Sequence, residues 1–256
     1  MKLVAFLFLV FLAAFAPGLA AADDENPQSE LWARILRVRV DGKGRVAYRA
    51  IASFDQESLG RYITSLARAN VDDMRRDERT AFWINAYNAG VVFGVLHGAN
   101  PERLSDRARL YHWFEIDVGG TPHTLDEIAN LASHHSRDPR VRIALCNGTR
   151  GAPPLRNEPY TGEDLDEQLN AAARRFVNEK PWNRVDVPNR RADLSSLFDW
   201  YRDEFERDDQ TLLGFVAGFM ANRKVRKILR RPEMGIAFSK FDWRLNAARG
   251  ERPLRY

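Results

Sequence analysis

The 256-residue chain carries 39 Lys and Arg residues against 35 Asp and Glu residues, so its formal net charge is only +4. Because basic and acidic residues are interleaved and form no basic stripe, the composition argues against a nucleic-acid partner. The single cysteine, Cys146, excludes an intrachain disulfide, and five histidines without an HExxH or CxxC spacing predict no metal site and no cofactor.

A secretory signal peptide is predicted at the N terminus. Lys2 precedes an apolar run from Leu3 to Ala16, and a Pro-Gly pair and small residues follow it. The run is shorter than the roughly 20 residues that a membrane-spanning helix needs, although a retained anchor is the alternative. Cleavage near Ala20 to Ala22 leaves a single domain of residues 23–256, which we expect in the periplasm with no membrane span.

The first elements of the mature chain are a hairpin and a helix. Apolar and polar residues alternate over 37–51 around an Asp-Gly-Lys-Gly turn, which predicts an antiparallel hairpin. Residues 53–69 have helical periodicity, and Ser53 or Asp55 is positioned to cap the helix.

The middle of the chain contains its longest apolar helix. Residues 77–98 predict this helix, which ends at a glycine. Residues 113–125 predict a strand, a Gly-Gly turn and a second strand that continues into a helix from about Asp126. The short apolar run 141–148 lies between a proline and a glycine, and it predicts a buried strand.

The last part of the chain is also mostly helical. Residues 162–179 predict an amphipathic helix, and 195–205 and 211–229 predict further helices, the first capped by Ser195. Residues 236–248 alternate like a strand. The whole pattern predicts a helix-rich α+β domain around a small, mainly antiparallel sheet.

Two asparagines interrupt the apolar segment FWINAYNAG. Asn85 and Asn88 are poor helix formers, and a buried amide costs roughly 1–3 kcal/mol unless it is hydrogen-bonded. One interpretation is structural, with both amides tying the helix to irregular backbone such as the CNGTRGAPPL loop. The other is functional, with the amides lining a pocket as hydrogen-bond donors.

Four segments in order, AFWINAYNAG, IALCNGTRGAPPLRNEPYTGEDLDEQLNAAARRFVN, LSSLFDWYRDEF and FSKFDWRLNAA, resemble the domain of unknown function family 547. The resemblance covers roughly residues 30 to 247, and the family includes exported bacterial members. It implies a pattern xHFALxCxSxxCPPL for the central segment, and so a comparison of the fold with papain- and transglutaminase-like cysteine enzymes.

This chain departs from the implied pattern at the reactive positions. Registered on IAL and PPL, Arg142 stands at the histidine position, and Asn147 and Ala152 stand at the two cysteine positions. Cys146 lies one residue before the first of them, which on a strand would turn its sulfur to the opposite face. An arginine stays protonated and cannot act as a general base.

These departures leave two main functional hypotheses, and a third is an export-pathway or envelope interaction partner with no small-molecule site. The leading hypothesis is a non-catalytic domain that binds a peptide, an anionic ligand or an envelope protein in a polar groove lined by Asn85, Tyr87, Asn88, Arg142, Asn147 and Arg150. The alternative is a cysteine hydrolase or acyltransferase with Cys146 as nucleophile and His123 or His112 as base. An unpaired cysteine is more often a small buried hydrophobe than a nucleophile.

The GTRGAPPL segment is the loop that both hypotheses would use. Gly148 and Gly151 are expected where the backbone needs a positive φ, and Pro153 and Pro154 stiffen the residues that follow. Such a loop either frames a binding site or serves as a structural crossover.

Overall fold

The structure, a computed structural model, describes residues 27–251. The predicted signal peptide lies outside these residues. The fold is helix-rich α+β, as the sequence predicts.

Seven α-helices and one two-stranded sheet make up the first half of the described chain. The helices are α1 (Pro27–Arg39), α2 (Tyr48–Ala50), α3 (Gln56–Leu66), α4 (Arg76–Leu96), α5 (Leu104–Ala108), α6 (Leu125–Ser136) and α7 (Arg140–Ala144). Single π-helical turns at Ile51–Asp55 and Arg109–Trp113 follow α2 and α5. Strands β1 (Glu115–Val118) and β2 (Thr121–Thr124) pair antiparallel across the Gly-Gly turn, as predicted.

The second half of the described chain combines five helices with a three-stranded sheet. The helices are α8 (Leu165–Asn178), α9 (Ser196–Trp200), α10 (Arg202–Phe205), α11 (Leu212–Phe219) and α12 (Arg223–Leu229). Strands β3 (Arg184–Asp186), β4 (Arg191–Ser195) and β5 (Gly235–Ser239) form the sheet, in which β4 pairs antiparallel with β3 and parallel with β5.

Two hydrophobic clusters form the interior. The larger one packs α1, α3 and α6 around α4, and the smaller one joins α8 and α11 to the three-stranded sheet. Close packing on α4 depends on its glycines, since a Cβ at Gly90 would lie 2.7 Å from the Leu125 side chain. Helix α7 connects the clusters because Val141 belongs to the first and Ile143 to the second.

The structure corrects the predicted buried strand at 141–148. Residues Arg140–Ala144 form the short helix α7, and the chain becomes extended only at Leu145. In a run this short, periodicity alone cannot distinguish a buried helix from a buried strand. The helix also begins after Pro139, whose φ of −63° suits a helical start.

The predicted hairpin over 37–51 is also corrected. Its arms are helical, and only Val40 and Val46 form an antiparallel bridge around the predicted turn. Val46 also makes a parallel bridge to Ala247, so this short connection is held by the C-terminal part of the chain.

Two details of the predicted helices differ from expectation. Asp55 occupies the N-cap position of α3 without a capping hydrogen bond, because its carboxylate accepts from Arg39 Nε at 2.6 Å, and Ser53 lies inside the π-helical turn. Residues 211–229 form two helices separated by an extended Met220. The Ser195 cap is confirmed, since its side chain accepts from the Leu197 N–H.

Candidate functional site

Asn85 and Asn88 clamp two irregular segments against α4. The Asn88 amide donates to the Ala144 carbonyl at 3.1 Å, and its oxygen accepts from the Cys146 N–H at 2.8 Å. Asn85 makes the same pair of bonds to the Tyr160 carbonyl (2.7 Å) and N–H (3.0 Å). Each amide therefore supplies the bonds that a neighbouring strand would otherwise provide, as the structural interpretation expects.

Cys146 is buried beside the Asn88 clamp, with only 3% of its surface exposed. Its sulfur accepts a hydrogen bond from Asn246 Nδ2 at 3.5 Å. The backbone N–H groups of Gly148 and Leu155 also donate hydrogen bonds to the sulfur. Burial raises the pKa of the thiol to about 11, although the three donors partly oppose that rise. A thiol with this pKa is almost entirely protonated near neutral pH.

The two histidines that could serve as base for Cys146 have other neighbours. His112 Nδ1 contacts the Asp126 carboxylate, and both side chains are about half exposed. His123 packs edge-on against Trp83, with ring centroids 5.7 Å apart. Within residues 27–251 no hydrogen bond joins either imidazole to Cys146.

Arg142 is a buried structural arginine. Its guanidinium makes a bidentate ion pair with Glu204, at 2.8 Å from Nη2 and 3.1 Å from Nε, and also donates to the Asn130 side chain at 3.1 Å. The guanidinium carbon lies 4.1 Å from the centre of the Tyr201 ring. These contacts satisfy the charge of Arg142 inside the protein and leave it little capacity to bind a ligand.

The remaining residues of the expected groove are also separated. Tyr87 is buried, and burial raises the pKa of its hydroxyl well above the usual range. Asn147 Oδ1 accepts from the Thr149 hydroxyl at 2.6 Å and stabilises the loop from within. The six residues thus do not line one groove, because Asn85 and Arg150 lie in two different clefts.

Asn85 contributes to a cleft between α3 and α4, which has a volume of about 1020 Å³. One helical stripe of α3, including Gly60, Arg61 and Ser65, faces Phe82 and Asn85 of α4. The rim carries both charge signs.

Arg150 contributes to a second cleft of about 490 Å³, which we term the cationic cleft. Five basic side chains line it: Lys43, Arg45, Arg150, Lys180 and Arg244. Two acids, Glu179 and Asp242, are also present, and the Trp182 side chain forms an aromatic wall.

An extended C-terminal segment builds one side of the cationic cleft. Asp242, Arg244 and Asn246 line the cleft, whereas Phe241, Trp243 and Leu245 pack against the larger hydrophobic cluster. This period-two alternation is the one that the sequence shows over 236–248. The segment is extended beyond β5, and Leu245 makes an antiparallel bridge to Thr149.

The loop glycines hold this segment close. Gly148 has a φ of +80°, as predicted. Gly151 has no positive φ and is needed for space, because a Cβ there would lie 2.8 Å from the Asp242 nitrogen. The Gly151 N–H donates to the Asp242 carbonyl at 2.8 Å, so the loop and the segment share backbone bonds.

Most of the cations in the cationic cleft form no ion pair within the described residues. Asp242 is paired with Arg244 at 2.8 Å from its Nε, which holds the pKa of the carboxyl below its usual range. Glu179 is paired with Arg175, outside the cleft. Among the residues that the structure describes, no acid forms an ion pair with four of the cleft cations: Lys43, Arg45, Arg150 and Lys180.

Sequence reasoning missed this cleft, apart from Arg150. Its basic residues come from the 43–45 turn, the 150 loop, the 180 turn and the extended segment at 244, and no local pattern links them. The alternation over 236–248 is the one sequence signal that separates the cleft-facing residues from their neighbours.

Comparison with known proteins agrees with the family resemblance. Residues 71–177 match the family model described as "Protein of unknown function, DUF547". The match contains AFWINAYNAG and the IALCNGTRGAPPL loop, whereas the segments at 195–205 and 236–248 lie beyond it. The chain therefore resembles this family across the α4 clamp and the loop that it holds. No curated protein and no solved structure matches the chain significantly.

Two further observations concern membranes and metals. In residues 27–251, no helix is both long enough and apolar enough to cross a membrane. The same residues contain no group of three or more His, Cys, Asp or Glu side chains positioned to hold a metal ion.

Proposed function

We propose that the protein is an exported, non-catalytic binding domain that holds an anionic ligand in the cationic cleft. The observation that carries the proposal is the group of four basic side chains, Lys43, Arg45, Arg150 and Lys180, which surround one concave surface and form no ion pair with any acid among the described residues. Clustered charges of one sign in a cleft focus the electrostatic field and attract ligands of the opposite sign.

The dimensions and chemistry of the cleft suit a small or extended anionic ligand. Its volume of about 490 Å³ falls within the range of about 300–1,000 Å³ that is usual for ligand pockets. Arginine presents a planar set of donors that matches carboxylate and phosphate oxygens. Trp182 offers an apolar surface, with its indole N–H already bonded to the Arg150 carbonyl at 3.1 Å. An acidic peptide satisfies these features.

The state of Cys146 supports a role without catalysis. A nucleophilic cysteine needs a depressed pKa or an adjacent base, whereas burial raises the pKa of this thiol to about 11. Arg142, at the position where the family resemblance implies a histidine, is paired with Glu204.

Export to the periplasm forms part of the proposal. Its support is the N-terminal sequence, in which a lysine, an apolar run and small residues follow one another as in a secretory signal peptide. An envelope protein that carries an acidic segment is then the class of partner that suits the cleft.

Calorimetric titration with a short oligoglutamate peptide tests the proposal. We expect saturable binding by the mature chain that weakens as salt is added. Replacing Lys43 and Lys180 together by Gln should weaken binding about tenfold or more, which corresponds to about 1.4 kcal/mol. Replacing Lys224 and Lys227, both exposed on α12 outside the cleft, is the matched control with the same charge change. Equal weakening in both double variants, or no binding by the wild type, would contradict the proposal.

A cysteine hydrolase or acyltransferase is the alternative function. One observation favours it: the Asp126 carboxylate holds His112 Nδ1, an arrangement that orients an imidazole as a general base. The buried thiol and its raised pKa weigh against it. The pH dependence of thiol alkylation, described below, distinguishes the two functions.

A further inference from the structure

A small pocket near the start of α4 contains only basic and imidazole side chains in its lining. Arg76 and Arg79, in the first turns of α4, and His135, in the last turn of α6, line this space of about 160 Å³. None of these three residues belongs to the cationic cleft.

The two arginines contact only neutral acceptors. Arg76 Nη2 donates to the Ser136 carbonyl, and Arg79 Nη2 donates to the Asp72 and Met74 carbonyls at 2.7 and 3.1 Å. Within the described part of the chain neither guanidinium forms an ion pair with a carboxylate. The acid nearest in sequence with an ion pair is Glu78, and its partner is Arg75.

One donor of Arg79 has no hydrogen-bond partner among the described residues. The Nε atom of Arg79 is buried and makes no hydrogen bond. A buried donor of this kind costs roughly 1–3 kcal/mol, more when it carries charge, unless it is satisfied. Two guanidinium groups that share a pocket also repel each other, and a bound anion would offset that repulsion.

From this arrangement we propose that Arg76, Arg79 and His135 form a binding site for a single oxyanion, a phosphate group carried by free phosphate or by a phosphate monoester. The volume of about 160 Å³ admits one such group and excludes a bulky ligand from the pocket itself. Arginine guanidinium groups bind phosphate oxygens in a bidentate manner, and the imidazole adds a further donor when its ring N–H faces the anion. This site is independent of the proposed function of the cationic cleft.

NMR spectroscopy of the histidine ring resonances tests the site, with inorganic phosphate as the probe and the mature chain in a phosphate-free buffer. We expect one histidine, assigned to His135 by its absence in His135→Gln, to shift saturably with phosphate while His134 does not. Phosphoserine should produce the same shift if the site accepts monoesters. Acetate at the same ionic strength should not, and an equal response to acetate overturns the proposal.

Affinity measurements on variants complete the test. Arg76→Gln should weaken phosphate binding about tenfold. Arg76→Gln also removes the hydrogen bond from Arg76 to the Ser136 carbonyl, so a second variant is needed. His135→Gln removes a pocket side chain without breaking that bond, and we expect about threefold weaker phosphate binding. His134→Gln, on the adjacent exposed position, is the matched control and should bind as the wild type does.

The two proposed sites can be separated in one further variant. The Lys43→Gln and Lys180→Gln double variant should retain the phosphate-dependent shift of His135, since neither lysine lines this pocket. Loss of the His135 shift in the double variant overturns the proposal. A His135 shift that persists in Arg76→Gln with unchanged phosphate affinity also overturns it, and the phosphate is then an adventitious ion only.

Discussion

Asn246 separates Cys146 from the cationic cleft: its Nδ2 lies 3.5 Å from the Cys146 sulfur, and its side chain also lines the cleft. The Oδ1 atom of the same asparagine accepts a hydrogen bond from the Tyr48 hydroxyl at 2.7 Å. The single amide thus links α2, the loop after α7 and the C-terminal segment, and it contacts both the thiol and the cleft.

Asn246→Ala should therefore expose Cys146. The substitution removes both hydrogen bonds of a buried amide, so we expect a loss of about 1–3 kcal/mol in the free energy of unfolding. Alkylation of the folded protein by iodoacetamide should become measurably faster. Asn157→Ala, at an exposed position, is the control. An unchanged alkylation rate in Asn246→Ala would show that this amide does not shield the thiol.

The pH dependence of alkylation in the wild type reports directly on the thiol. Since burial raises the pKa of Cys146 to about 11, the rate should still be rising at about pH 9, beyond the usual thiol pKa of about 8.5. The same measurement in denaturant should give a midpoint near the usual value. A plateau in the folded protein with a midpoint well below about 8.5 would identify an activated thiolate and favour the cysteine hydrolase.

Stability at alkaline pH follows from the same shift. The folded-state pKa of Cys146 lies above the unfolded value, so the unfolded state loses its proton first as the pH rises. This contribution to stability is complete below about pH 8.5 and is lost progressively towards about pH 11. The difference in unfolding free energy between the wild type and Cys146→Ala should shrink over that window. A constant difference would contradict the raised pKa.

The two asparagine clamps should differ in their energetic weight. Asn88→Ala leaves the Ala144 carbonyl and the Cys146 N–H without partners in the core, and we expect a loss of about 2–4 kcal/mol. Asn85→Ala should cost less, about 1 kcal/mol, because Asn85 is only half-buried and lines an open cleft where water can replace it. Urea unfolding of both variants measures the difference, and an equal or reversed order would contradict the clamp described for Asn88.

Gly151→Ala should disturb the cationic cleft. The new Cβ would lie 2.8 Å from the Asp242 nitrogen and 3.0 Å from its carbonyl oxygen, so the extended segment must move away from the loop. We expect a loss of about 1–3 kcal/mol in stability together with weaker oligoglutamate binding. Gly42→Ala is the matched control because no atom lies within 4 Å of the added Cβ. Unchanged stability in Gly151→Ala would show that the segment adapts without cost.

Elements with a long or strongly marked sequence pattern were predicted well. Three elements occur where their sequence patterns predict them: the long apolar helix α4, the Gly-Gly hairpin of β1 and β2, and the amphipathic helix α8. In each case local propensity and burial favour the same structure. The structural interpretation of Asn85 and Asn88 was also accessible, because an amide in an apolar helix needs a polar partner and irregular backbone supplies one.

Short apolar runs and single turns were predicted poorly. In α7, Val141 and Ile143 alternate with two arginines, a period-two pattern typical of a strand, and five residues are too few to show helical periodicity. The expected hairpin arms became helices because only the Val40–Val46 pair finds a bridge partner across the turn, and tertiary packing then overrides strand propensity. The papain- or transglutaminase-like comparison stays a prediction, because no solved structure matches.

By itself, the sequence determined the helix-rich α+β class, the resemblance to a family of unknown function, the absence of a disulfide and the single thiol whose role is in question. Only the tertiary structure decided that this thiol is buried against Asn246 and that Arg142 is paired with Glu204. The tertiary structure also brought together Lys43, Arg45, Arg150 and Lys180, the cations of the cationic cleft that form no ion pair in the described part of the chain. The physical reason is that secondary structure follows from neighbours along the chain, whereas the pKa of a side chain and the charge balance of a cleft depend on residues distant in sequence.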